Sequence, residues 1–142
     1  MDAALVDARL PDAAPDGPKP LGNFGTPMKI PGLSLATAVE DDVTLNSTET
    51  ELYFAINANN EKNLYVSTRA NLQAAWSTPT ALTVLNGAGN DSAARLSADG
   101  LTLYFSTVRN GASEDIWMSQ RANATAPWGA PAWALYSTSG WG

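Results

Sequence analysis

A chain of 142 residues has one domain's length and can bury a core of its five Trp, four Tyr and three Phe. A net charge of −6 argues against binding nucleic acid through its phosphates, which needs clustered Lys and Arg, and disfavours an anionic membrane surface. With no Cys and no His, disulfides, thiolate metal sites, a Cys nucleophile and the commonest general base are all excluded.

No apolar run approaches the roughly 18 residues of a membrane span, so no transmembrane segment is expected. Met1 leads into an acidic, Pro-rich stretch, not a basic and then apolar one, so no signal peptide is expected either. The chain is expected to be cytosolic or cut from a longer precursor. Residues 1–22 carry Asp-Ala pairs at Asp2, Asp7 and Asp12 and four Pro from Pro11 to Pro20. Such composition buries too little to offset the entropy of ordering, and predicts a disordered, acidic Pro/Ala-rich tether. It is similar to the spacers that follow the lipid-anchored Cys of bacterial surface lipoproteins, although no such Cys stands here.

From residue 23 the chain repeats. Phe24-Gly25-Thr26-Pro27, Trp76-Ser77-Thr78-Pro79 and Trp128-Gly129-Ala130-Pro131 lie 52 residues apart. Ser67 to Asn71 matches Ser119 to Asn123 at the same spacing, and Leu-Tyr-Phe stands at 52–54 and at 103–105. Three landmarks at nearly one period mark an internal duplication. It divides the chain into a tether (1–22), a leading strand plus a first unit (23–85) and a second unit (86–142).

Each unit reads as strands. In the second, Leu101, Leu103 and Phe105 alternate with Thr102, Tyr104 and Ser106, the period of a pleated strand. Asp99-Gly100 is expected to form a two-residue turn between that strand and Ala93–Ser97. Arg109-Asn110-Gly111-Ala112-Ser113 reads as the next turn, Ile116 to Met118 as the third strand and Ala130–Tyr136 as the fourth. The first unit has Thr44–Asn46, Glu51–Ile56, Asn63–Thr68 and Thr78–Leu85, preceded by a leading strand at Thr26–Ile30. Its first turn, Ser47 to Thr50, lacks Asp-Gly, so a looser pairing or a longer turn is expected there.

Four short antiparallel strands in roughly 40–50 residues match the blade of a β-propeller. Leu96 to Gly100, Leu103 to Ser106, Arg109-Asn110-Gly111, Asp115-Ile116-Trp117 and Trp128 to Pro131 together resemble the WD40-like (PD40) repeat of the TolB-like propeller family. The likeness is closest to the variant of bacterial envelope proteins whose blades end in Trp-x-x-Pro. It spans residues 24–136; in the first unit it is partial, because Asn57–Lys62 replaces the Arg-x-Gly turn. The resemblance implies an all-β partial propeller, periplasmic or at the cell surface, serving as a binding or scaffolding module with no shared catalytic residues. Closed propellers take about four to eight blades, so two repeats read as a fragment, or as a ring completed by other copies or a protein partner.

The residues offer few chemical sites. Glu40-Asp41-Asp42 and Glu114-Asp115 are the acidic clusters of the repeat region, expected as solvated turn or edge charges and not as a Ca²⁺ or acid/base pair. Ser97 to Tyr104 resembles the sialidase Asp-box, but its Asp and Gly are adjacent where the box separates them. Gly87-Ala88-Gly89-Asn90-Asp91 lacks a third glycine and a following helix, and reads as a turn between units. Trp76 and Trp128, repeated before Pro, are expected to pack one unit on the next. Trp133 and Trp141 break the repeat and are the ligand or partner candidates. The expectation is therefore a non-enzymatic module with no catalytic residue, cofactor or metal. The alternatives are a carbohydrate-binding or glycoside-hydrolase-type propeller fragment, or a propeller accessory domain of a peptidase.

Overall fold

A computed structural model describes residues 25–34, 38–111 and 113–134. Eight strands form two antiparallel four-stranded sheets, and no helix occurs among the described residues. Sheet 1 runs β1 (Val39–Leu45), β2 (Glu51–Ala58), β3 (Glu61–Thr68) and β4 (Thr80–Ala81), with spatial order following chain order. Sheet 2 repeats that order with β5 (Asp91–Leu96), β6 (Thr102–Thr107), β7 (Asp115–Gln120) and β8 (Ala132–Trp133). Neither sheet closes on itself. The tether at 1–22, Tyr136 and Trp141 lie outside the described residues.

The duplication extends to local irregularities. The β1–β2 ladder slips between Asp41 and Thr44, and the β5–β6 ladder between Ser92 and Arg95. At each slip one residue takes a left-handed backbone, Asp42 (φ 56°) and Ala93 (φ 52°). These are matching β-bulges, which bend and twist an edge strand. The two are tied together, since the Ala93 N–H donates to Asp42 Oδ2 at 3.3 Å.

The first turn of sheet 1 corrects the expectation of a looser or longer connection. Asn46 N–H donates to Glu51 O at 3.1 Å and Glu49 N–H to Asn46 O at 3.0 Å; Ser97, Thr102 and Gly100 make the matching bonds at 2.8 and 2.9 Å. Glu49 (φ 55°) stands where Gly100 (φ 74°) stands in the other unit. The Asn46 side chain compensates for the missing Asp-Gly. Its Oδ1 accepts from the N–H groups of Thr50 and Glu51, at 2.7 and 3.0 Å. In sheet 2 the same service is divided between Ser97 Oγ, accepting from Thr102 N–H, and Asp99 Oδ1, accepting from Leu101 N–H. Asp99-Gly100 belongs to a four-residue connection, not a two-residue one, because Ser97 and Thr102 are the flanking bonded pair. Only Gly100 of that dipeptide takes positive φ.

Other boundaries also shift. The fourth strands shrink to two residues each, and the chain after β4 turns over the sheet at Thr83–Leu85 instead of extending it. The expected leading strand at Thr26–Ile30 does not form. By the 52-residue period Thr26–Ile30 matches Thr78–Leu82, whose strand pairs with β3. Among the described residues no strand precedes Thr26–Ile30 to play the part of β3, so its backbone has no ladder to join.

The core lies between the sheets, where β5 packs on β1, β2 and β3. Side chains alternate across β2, sending Tyr53 and Ala55 to one face and Leu52, Phe54 and Ile56 to the other. The first face joins Leu64, Leu82, Leu85, Ala94, Leu103, Phe105 and Trp128 in one buried cluster. The second forms a smaller cluster with Leu33, flanked by Ala38, Tyr65 and Trp76. Each fully buried Leu or Phe contributes about 1.5–3 kcal/mol by leaving water, so the larger cluster dominates stability.

Candidate functional site

The chemistry-bearing side chains gather along the seam between the sheets. Arg121, nearly buried at the end of β7, is held on every side. Its guanidinium donates to both carboxylate oxygens of Glu51, at 3.0 and 2.7 Å, and to the carbonyls of Gly100 and Ala124, both at 2.8 Å. It also lies over the Trp128 ring at 4.6 Å, while Tyr53 meets that ring edge-on at 5.9 Å between centroids. The Glu51 hydrogen bonds push the Arg121 pKa further above its usual value. Burial, then the negative charge of Glu51, pushes the Tyr53 hydroxyl up to about 12. This is a clasp of one unit on the next: Glu51 and Tyr53 come from β2, Arg121 and Trp128 from the second unit.

The first unit carries the same clasp half-open. Arg69 lies over Trp76 at 4.5 Å and donates to the carbonyls of Glu49 and Leu72, at 2.7 and 3.1 Å. In place of a bidentate carboxylate it has only the exposed Glu49, at 3.7 Å. At the position matching Glu51, sheet 2 presents Thr102.

A second buried pair anchors the inter-sheet crossing. Asp91 is fully buried, accepts from Gly87 N–H at 2.7 Å, and pairs with Arg109 at 3.1 Å. Arg109 reaches the Leu85 carbonyl and lies over the Trp117 ring at 4.9 Å. Gly87–Asp91, expected as a turn between units, is thereby an internal electrostatic staple.

Trp133 pairs across strands with Trp117, their ring centroids 5.1 Å apart, and is half-buried. Trp117 also has the Arg109 guanidinium over its ring, so the Trp117–Trp133 pair packs at the sheet edge. Trp128 fulfils the packing role expected of it at the seam, whereas Trp76 stands on the opposite face of sheet 1. The acidic residues of β1 are edge charges with partners. Lys62 Nζ lies 2.6 Å from Asp41 and 3.8 Å from Asp42, and the Asp41 hydrogen bond raises its pKa. Glu114 accepts from Ser92 Oγ at 3.2 Å.

Among the described residues a cleft of about 260 Å³ opens on the Leu52–Phe54 side of sheet 1, floored by Leu52 and Phe54 and walled by Ile30, Leu33 and Val43. Lys29 and Glu40 to Asp42 form its polar rim. Among the described residues no group of three acids could hold a metal ion, and no helix is long and apolar enough to cross a membrane.

The arginines of the clasp were visible in sequence as repeated positions, Arg69 and Arg121. Their partners were not, because Glu51 lies 70 residues from Arg121 and does not recur in the second unit. No family model, curated protein or solved structure matches the chain.

Proposed function

We propose that the chain is a non-enzymatic scaffolding module, its two sheets being WD40-like blades of a β-propeller of the TolB-like kind, working in the periplasm or at the surface of a bacterial cell. The observation that carries this reading is the way the two repeats pack. One face of sheet 1 covers the opposite face of sheet 2, so the step from unit to unit has a direction and can be repeated. Successive blades of a ring need that property, and a symmetric sandwich of two sheets lacks it. Partners are bound by the loops or by the channel of a completed ring.

The seam supports a scaffold more than a reaction centre. Its buried charges are consumed by one another in bidentate and multi-carbonyl contacts, leaving no acid or base facing the cleft from the clasp. Two experiments test the proposal. Chains extended by further copies of residues 86–142, to four or more sheets, should scatter X-rays as a closed ring; a rod that lengthens with each added copy overturns the propeller. Chromogenic glycosides, esters and peptides should all remain unhydrolysed, and turnover proportional to protein concentration overturns the non-enzymatic part.

A further inference from the structure

The chain contains two Asn-Gly pairs, Asn86-Gly87 and Asn110-Gly111. In such a pair the backbone nitrogen of the second residue can attack the side-chain amide of the first, because glycine puts no side chain in the way and lets the backbone rotate. Local sequence makes the two pairs alike, and the fold separates them.

Asn86 is held. Its Oδ1 accepts from the Leu64 N–H at 2.8 Å and its Nδ2 donates to the Leu64 carbonyl at 3.1 Å, so both ends of the amide are bound to β3. The nitrogen that would attack, Gly87 N, donates its hydrogen to Asp91 Oδ2 at 2.7 Å, and Asp91 is fully buried. That negative charge opposes loss of the Gly87 proton. Gly87 is also packed on Arg109, where an added Cβ would lie 3.1 Å from Arg109 Cβ. Asn110 is the reverse case. It and Gly111 are exposed on the connection between β6 and β7, and the Asn110 side chain makes no hydrogen bond among the described residues. A Cβ placed on Gly111 would meet nothing within 4 Å, so the backbone has room to turn. The Gly111 N–H is engaged by the Val108 carbonyl at 3.1 Å, a bond in an exposed turn that opens at small cost.

We propose that Asn110 is a site of spontaneous deamidation in the folded protein and that the fold protects Asn86. Hydroxide takes the Gly111 amide proton and the nitrogen adds to Asn110 Cγ. The bond from Cγ to the side-chain nitrogen breaks, and ammonia leaves with a proton drawn from water, which restores the hydroxide. The cyclic imide then takes up one water at either carbonyl and opens to an aspartate or an isoaspartate at position 110. An amide and water have become an acid and ammonia, with nothing oxidised or reduced. The product sets a negative charge beside Arg109, whose guanidinium pins Asp91 and the Leu85 carbonyl. The isoaspartate form also inserts a backbone carbon between Val108 and Gly111, and so breaks their turn hydrogen bond.

Incubation of the whole chain at mildly alkaline pH, followed by anion exchange and peptide mass mapping, tests this. A more acidic form should grow with time, with isoaspartate confined to the peptide that holds Asn110. Asn110→Gln should abolish that form and leave the urea midpoint unchanged, the side chain being exposed and unbonded. In the native chain Asn110 should react at least about tenfold faster than Asn86, and the two rates should converge in urea, where the Leu64 and Asp91 contacts are lost. A native chain that stays unmodified while both pairs react in urea overturns the proposal at Asn110. Equal native rates at the two pairs overturn the protection of Asn86. The reaction needs no partner and no closed ring, so its outcome is separate from the scattering test of the extended chains.

Discussion

The two clasps differ by one residue's environment. Arg121 and Arg69 hold the same pose, guanidinium over Trp and Nε on a turn carbonyl, but Arg121 has the Glu51 carboxylate and Arg69 only a distant, exposed Glu49. Pose is thus set inside each unit, by the repeated Ser-x-Arg-Ala-Asn segment and the Trp that follows. Electrostatic completion is set between units. A residue can be conserved between repeats in geometry while its energetic weight depends on whether a neighbour lies beside it.

The largest break in that comparison should come from the core on either side of β2. Phe105→Ala empties the shared cluster and should cost about 3–5 kcal/mol in urea unfolding. Phe54→Ala, beside a cleft, should cost less, because fewer buried neighbours are lost. Equal losses would mean that the two faces of sheet 1 are equally well packed.

The clasps themselves should separate next. Arg121→Ala strands Glu51 at the seam and should cost about 3 kcal/mol, as breaking buried ion pairs does. Arg69→Ala should cost at most about 1 kcal/mol, since its carboxylate partner is exposed. Both values come from the shift in urea midpoint.

Alkaline pH probes the same seam through Tyr53. Its folded pKa of about 12 lies above the ordinary 10.0, so the neutral form is favoured by folding. The associated stability is complete below pH 10 and falls as the pH rises from 10 to about 12. Lys62, also raised from 10.5, acts in the same direction: its Asp41 contact helps below that pH and fades as the ammonium deprotonates. Tyrosinate absorbance followed against unfolding should show one tyrosine ionising late, and Tyr53→Phe should remove that late step.

The smallest effects sit in the turns. Glu49→Gly should stabilise by about 0.5–1 kcal/mol, because a left-handed backbone suits glycine. Gly100→Ala should destabilise by about 1 kcal/mol for the same reason reversed, since an added Cβ meets nothing closer than 3.7 Å. Opposite signs in thermal melts would confirm that the units share one turn geometry despite different residues.

The sequence by itself determined the local layer. Alternation around Leu103 set one central strand, and the internal repeat set its copy at Glu51–Ile56 and two matching four-stranded units. These depend on neighbours a few residues away, which is what pattern reading captures. Asp99-Gly100 marked the place of its turn but not the four-residue length, and Ser47–Thr50 was misread because Asn46 does the work from outside the turn. The leading strand was misread because a strand needs a partner, and Thr26–Ile30 has no ladder beside it among the described residues. Only the tertiary structure decided which copy of each face is covered. Leu64 and Ile116, or Ala94 and Val43, occupy the same place in their units, and nothing local distinguishes them. Burial there follows from which sheet has a neighbour on that side, a relation between segments some 50 residues apart. Long-range packing likewise brought Glu51 to Arg121 and Asp91 to Arg109, turning four scattered charges into the pins of the seam.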